Sequence, residues 1–369
     1  MAESQNRTVK LSEAKKYIKH HFKQKRPVFI WGQPGIGKSD LIYGIANELK
    51  NSYVIDVRLP LWEPTDIKGI PYYNSNTDSM QWAAPAELPS KEFASNYDTV
   101  ILFLDELNGA APSVQAAAYQ LILNRRVGEY VLPDNVVMVA AGNRESDKGV
   151  SYRMPKPLAN RFLHYEIRVD FDDWQQWALG EGIHPDVVGY LTFSKKDLNS
   201  FDASSNERSF ATPRSWSFVS ELLKDADGFT DNEVTDMVSS AVGEGIALQF
   251  NAHRAVSSTL PDPSLILAGK IDNLKTKEIS AMYSLATSLA YELKTIYDNI
   301  GRSEEETQEH FNESLDNMLA FCMKNFEPEM SIMSVRVLAT KYGMKLPLRK
   351  LKHGKEFFDK YGDLVLAAA

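Results

Sequence analysis

Cysteine is almost absent from this 369-residue chain: the single Cys322 can close no intrachain disulfide and leaves no cysteine cluster for zinc. Long apolar runs are lacking as well. The most hydrophobic stretches, Val100–Leu104 and Val136–Ala141, are strand-sized, far short of the roughly 18 residues a membrane helix needs, so no membrane association is expected. Residues 1–26 are polar, without the apolar centre of a secretory signal, which together with the lone cysteine predicts a cytoplasmic protein. Positive charge is in deficit: the net charge is −8, so global steering toward nucleic acid is not expected. Within that balance, residues 1–26 hold eight Lys/Arg against two Glu, a basic stretch that reads as a solvated helix face. No internal repeat and no Ser/His/Asp constellation stands out. His20 and His21 are neighbours in sequence, point to different sides of a helix and make a poor metal pair. What is present, 43% hydrophobic and 24% charged residues, is the balance of a folded protein, and the length predicts two or three domains.

From Pro27 to Val169 short β-rich runs alternate with helical ones, the pattern of a parallel sheet covered by helices. Five strands are expected, at Val28–Trp31, Tyr53–Arg58, Thr99–Leu104, Asn135–Ala141 and Phe162–Val169. Between them, Leu41, Ile42, Ile45, Ala46 and Leu49 share one helical face, and Val114, Ala117, Ala118, Leu121 and Ile122 another. Beyond Asp170 only helical stretches follow. A break at 257–264, with Pro261 and Pro263, precedes an apolar stripe through Ile279, Met282, Ala286, Leu289, Leu293, Ile296 and Ile300. The division expected is a nucleotide-binding domain over 1–169, a helical domain over 170–256 and a helical extension over 257–369. The acidic run Ser303–Glu313 reads as a solvated face, and Cys322, on the next apolar stripe, as a core residue rather than a nucleophile.

Gly32-Gln33-Pro34-Gly35-Ile36-Gly37-Lys38-Ser39 follows a strand and opens a helix, the setting in which G-x-x-x-x-G-K-[ST] is a phosphate-binding loop. Its glycines let backbone N–H groups turn inward, and the helix, with Asp40 in its first turn, adds its positive end. Lys38 is expected on the β- and γ-phosphates of a nucleotide and the Ser39 hydroxyl on Mg²⁺. The apolar strand ending in Asp105-Glu106 supplies a carboxylate for the Mg²⁺ shell and, one residue on, a second to polarise the attacking water. Asn143, at the end of another strand, can reach the γ-phosphate or that water, with a turn asparagine as its plainer reading. Arg161 precedes the last strand and Arg214 opens a helix in Ala211-Thr212-Pro213-Arg214-Ser215; either reads equally as a surface charge.

This ordered set resembles the AAA+ ATPases, and specifically their MoxR branch, over roughly residues 10–255. Glu63–Pro71 followed by Met80-Gln81-Trp82 is similar to the insert of that branch; Asp105–Pro112 with Gln115 and Ala116 is similar to its Walker B continuation, and Arg126–Tyr130 with Leu132-Pro133 to the hairpin before sensor 1. The resemblance implies a five-stranded P-loop AAA+ core with a helical lid, and ATP with Mg²⁺ as cofactors. It makes Asn143 sensor 1, Arg161 the arginine finger acting on a neighbouring subunit, with Arg144 and Arg153 as competitors for that role, and Arg214 sensor 2. It further implies a homo-oligomeric ring, hexameric in this branch, that couples ATP hydrolysis to remodelling a protein client bearing a von Willebrand A domain. Tyr72, Tyr73 and Trp82 are then either client grips or packing within the insert. A nucleic-acid motor or loader is the alternative, resting on the basic N-terminus and on Lys341, Lys345, Arg349, Lys350, Lys352 and Lys355. A nucleotide-gated adaptor is disfavoured by Glu106, and no guanine-reading Asn-Lys-x-Asp is found.

Overall fold

The computed structural model describes residues 7–147, 152–257, 260–276, 278–300 and 307–366. The chain divides into two compact units, one holding 1–170 and 201–205, the other 171–200 and 206–369.

In the first unit the elements run β1 (Thr8–Val9), α1 (Leu11–Phe22), β2 (Val28–Trp31), α2 (Lys38–Glu48), β3 (Ser52–Arg58), α3 (Pro64–Lys68), β4 (Ile70–Asn74) and β5 (Ser79–Ala83). They continue with α4 (Lys91–Ala94), β6 (Thr99–Asp105), α5 (Pro112–Asn124), β7 (Arg126–Val127), β8 (Tyr130–Val131), β9 (Val136–Gly142), α6 (Lys156–Ala159) and β10 (Leu163–Ile167). A wholly parallel sheet in the order β1-β10-β2-β9-β6-β3 forms the centre. Its inner strands are covered on both faces, which is why β6 and β9 are continuous apolar runs rather than alternating ones. The inward faces of α2 and α5 are the ones expected, with Leu41, Ile42, Ile45 and Ala46 buried on one and Val114, Ala117, Ala118, Leu121 and Ile122 on the other.

The sheet has six strands, not five. Thr8 and Val9 pair in parallel with Glu166 and Ile167; two residues carry no readable periodicity, and the strand exists because Val9 is buried against the core beside Ala14 and Ile18. The basic helix α1 is only partly a free solvated face: Lys15 and Lys19 both pair with Glu48 at the end of α2, and Lys10 lies 3.0 Å from Asp170.

Two antiparallel hairpins stand outside the sheet. In β4–β5, Tyr73 and Met80 face each other, and both are about 60% exposed. The hairpin is entered through Gly69, at φ 83°, where an added Cβ would sit 1.8 Å from the Ala83 carbonyl oxygen. Gly69→Ala is therefore expected to cost about 1–3 kcal/mol and lower the urea midpoint; an unchanged midpoint would mean the turn is not held this way. The β7–β8 hairpin turns at Gly128, beside the Trp82 side chain.

Among its described residues the second unit is helical throughout: α7 (Phe171–Gly180), α8 (Pro185–Phe193), α9 (Pro213–Lys224), α10 (Asp231–Val242), α11 (Glu244–Ser257), α12 (Pro263–Leu267), α13 (Ile279–Asp298), α14 (Gln308–Asn325), α15 (Pro328–Arg336) and α16 (Lys352–Leu366). Helices on the two sides of residue 257 pack on each other, α8 against α13, with Gly189 giving the room for Ser284. The stripe of α13 buries Met282, Ala286, Leu289 and Leu293, whereas Ile279 is 59% exposed at the open first turn. Cys322 is fully buried, and burial pushes its thiol up to about 12, as befits a core residue. Of the acidic run, Ser303–Glu306 lie outside the described residues. No helix among the described residues is long and apolar enough to cross a membrane.

Candidate functional site

Because every strand of the sheet runs the same way, the ends of β2, β6 and β9 deliver Gly32, Asp105 and Asn143 to one edge, where ligands of open α/β sheets collect. The loop after β2 makes its turns at Gly35, φ 74°, and Gly37, φ 93°, a region open to glycine at little cost. Gly32 is packed tightly, since a Cβ there would meet Ile36 Cδ1 at 2.4 Å, and Ile36 itself is buried beneath the loop. Gln33, Pro34, Gly35, Lys38 and Ser39 stay half-exposed, with Asp40 exposed in the first turn of α2. Gly37 is the N-cap of α2 and offers no side-chain acceptor to the first-turn N–H groups, so that end of the helix is suited to an anion.

Lys38 holds this edge together. Its Nζ donates to the carbonyls of Gly32 at 2.8 Å and Gln33 at 2.9 Å, and to Asn143 Oδ1 at 2.9 Å. The Ser39 hydroxyl donates to Asp105 Oδ2 at 3.4 Å. Burial raises the Asp105 carboxyl above the usual carboxylate range, with Asp56 and Glu106 adding to the rise, while the Glu106 N–H and Lys38 oppose it. A carboxylate under-compensated in this way, next to a serine hydroxyl, is a hard-oxygen pair that suits Mg²⁺, which takes one or two protein ligands and keeps its waters. Asp56 is a neighbour that periodicity did not single out; it lies on edge strand β3 and accepts from Tyr43 Oη at 3.1 Å.

Glu106 is exposed and has φ 53°, ψ 36°, left-handed geometry that a side chain rarely adopts. Its N–H donates to Asp105 Oδ1 at 3.0 Å. Such strain, of order 1–3 kcal/mol, is found where a side chain must be aimed, and it turns Glu106 away from the strand direction that Asp105 follows. The next polar residue, Asn108, is buried; its Nδ2 donates to the Asn143 carbonyl at 2.8 Å, joining the β6 turn to the end of β9. Gly142 makes this possible, because a Cβ there would meet Asn108 Oδ1 at 2.1 Å.

The arginines differ in their surroundings. Arg144 is engaged within the unit, pairing with Asp147 at 3.1 Å and Glu166 at 3.2 Å. Arg153 is exposed. Arg161 is exposed too, but its guanidinium lies over the Tyr119 ring at 5.9 Å and donates to Tyr119 Oη at 3.4 Å. Arg214 lies in the second unit, exposed in the first turn of α9, where Thr212 Oγ1 accepts the Ser215 N–H at 3.1 Å. A cation at that end opposes the helix dipole, so its position there is not one that helix stability selects.

Residues 27–162 match the family model described as the AAA domain of the dynein-related subfamily. Over 186 residues the chain is 28% identical to midasin from Giardia intestinalis, which takes in 47% of this chain but 4% of midasin. Among solved structures, NtrX from Brucella abortus is similar over 96% of this chain and 68% of its own, with a TM-score of 0.38 and 12% identity. A RuvB mutant from Thermotoga maritima is similar over 82% and 87%, with a TM-score of 0.37 and 17% identity.

Proposed function

We propose that this chain is an AAA+ ATPase of the MoxR type that works as a homo-oligomeric, hexameric ring in the cytoplasm and uses ATP hydrolysis to remodel a protein client, one with a von Willebrand A domain. The observation that carries the reading is the joint placement, at the ends of three neighbouring strands, of two hydrogen-bonded pairs, Lys38 with Asn143 and Ser39 with Asp105. When bound, Mg²⁺-ATP would supply the phosphoryl electrophile and the metal charge. Around it, backbone N–H groups of residues 32–40 other than Pro34 would cradle the phosphates, the Lys38 ammonium would neutralise phosphate charge, and Ser39 and Asp105 would hold the metal. Glu106 would be the base that takes the proton of the attacking water, and Asn143 would orient that water.

Arg161 is the finger in this reading, since Arg144 is already held by two carboxylates whereas Arg161 rests on an aromatic face and hydroxyl at the surface. Residues 1–169 form the nucleotide-binding domain, 170–256 a lid that carries Arg214 as sensor 2, and 257–369 an extension. The exposed Tyr72, Tyr73 and Trp82 favour a gripping hairpin over internal packing. The nucleic-acid alternative is weakened by the pairing of Lys10, Lys15 and Lys19 with Asp170 and Glu48, which removes three cations from a phosphate-tracking surface.

Calorimetric titration with Mg²⁺-ATP tests the site itself. Lys38→Ala is expected to weaken binding by about 2–5 kcal/mol, the cost of removing one member of a charged hydrogen-bonded pair. Equal affinity in the variant would reject the nucleotide assignment.

A further inference from the structure

Arg161 ends a short turn, and one histidine ties that turn to the strand that enters the phosphate loop. Trp31 is the last residue of β2, immediately before Gly32. Its indole N–H donates to His164 Nδ1 at 2.9 Å, and His164 Nε2 lies 2.8 Å from the carbonyl oxygen of Ala159. An indole N–H only donates and a carbonyl only accepts, so the imidazole is used at both ends in one tautomer: Nδ1 accepts and Nε2–H donates. The Ala159 carbonyl also accepts the Phe162 N–H at 3.1 Å, and the Arg161 N–H donates to Leu158 at 3.0 Å, which together close the turn carrying Asn160 and Arg161.

Aromatic packing backs this chain of bonds. Trp31 stacks on His164 with centroids 6.0 Å apart and packs on Phe29 at 4.2 Å, while Phe162 meets Phe29 edge-on at 5.4 Å. In the parallel β2–β10 register His164 stands opposite Phe29, so a shift of the Trp31 end of β2 moves His164 and with it the Ala159 carbonyl. Stability alone does not call for a histidine here: His164 is exposed, so its burial contributes little, and an apolar ring would fill the stack. Using both ring nitrogens at once serves direction, not area.

We infer that His164 is a positioning residue: through Trp31 it sets the turn that presents Arg161 according to the state of the phosphate loop in the same subunit. Nucleotide in one subunit thereby determines how that subunit's arginine is offered to its neighbour. This rests on the reading of Arg161 as a finger that acts in trans, and the coupling element is the Trp31–His164–Ala159 chain.

The test is hydrogen exchange of the amides in residues 156–164 of the full chain, with and without Mg²⁺-ATP, alongside kcat, KM and thermal midpoint of the assembled protein. His164→Phe keeps the ring stack and removes both hydrogen bonds; Trp31→Phe breaks the same chain from the other end and keeps the test open if the first variant fails to fold. In wild type, nucleotide is expected to slow exchange in this segment severalfold, and in either variant that response is lost. Turnover per subunit is expected to fall about tenfold with KM within about twofold, and the double variant to be no worse than the poorer single one. A nucleotide response preserved in both variants, or kcat losses that multiply in the double variant, would overturn the inference. Arg161→Ala run in parallel separates the two claims. If that variant is inactive while His164→Phe turns over normally, only the positioning role falls; if it turns over normally, the finger reading falls first.

Discussion

Glu106→Gln is expected to bind Mg²⁺-ATP as tightly as wild type and to hydrolyse it about 10²–10⁴-fold more slowly, the range a positioned general base contributes. Glu106 follows Asp105 at the end of β6 but leaves the strand direction at φ 53°, so the two neighbouring carboxylates do not share one task. Asp105 faces Ser39 and the buried edge, whereas Glu106 is exposed. Glutamine preserves size and backbone demands while removing the charge that accepts a proton, so the phosphate cradle and Lys38 contacts are untouched. Single-turnover hydrolysis with a parallel binding titration reads both halves. Turnover within a few-fold of wild type would remove Glu106 from the reaction, and a matching loss of affinity would place it in the binding shell.

Arg161→Ala is expected to lower hydrolysis by about 10³-fold or more in assembled protein while leaving nucleotide affinity of the single subunit unchanged. Its guanidinium is held at the surface by the face and hydroxyl of Tyr119, a contact worth about 0.5–1 kcal/mol at an exposed site, weak enough to be exchanged for a phosphate on another subunit. Arg144, by contrast, would have to leave Asp147 and Glu166 before it could serve. Arg144→Ala is thus the control: it should chiefly lower stability. An arginine contributed in trans stabilises the charge developing on the γ-phosphate only where two subunits meet, so the loss should vanish at dilutions where wild type is itself monomeric and slow.

Features encoded by neighbouring residues were legible in the sequence. The loop at residues 32–39 is a contiguous pattern between a strand and a helix, and the β6 and β9 runs are apolar because both faces of the sheet are covered. Helices α2 and α5 show their inward faces in their periodicity. What escaped depends on contacts between distant positions or on backbone geometry. The two-residue β1 is too short to carry a pattern and exists through its pairing with β10. The left-handed turn at Glu106 leaves no mark in residue type, as glutamate is not a residue that favours it. Tyr119 reads as one more position on a helix until Arg161, 42 residues later, is seen above it. Trp31 and His164, 133 residues apart, look like an ordinary strand aromatic and a lone histidine. Asn108 stood inside a recognisable motif, but its bond to the Asn143 backbone follows only from the crossing of strand ends beside Gly142.

Dependence of hydrolysis on subunits meeting is tested by the ATPase rate per subunit against protein concentration, with light scattering on the same samples, for wild type and Arg161→Ala. Expected are a rate per subunit that climbs with assembly in wild type, and a variant that assembles to the same mass but does not turn over. A rate independent of concentration in a monomer, unchanged by the variant, would contradict that dependence.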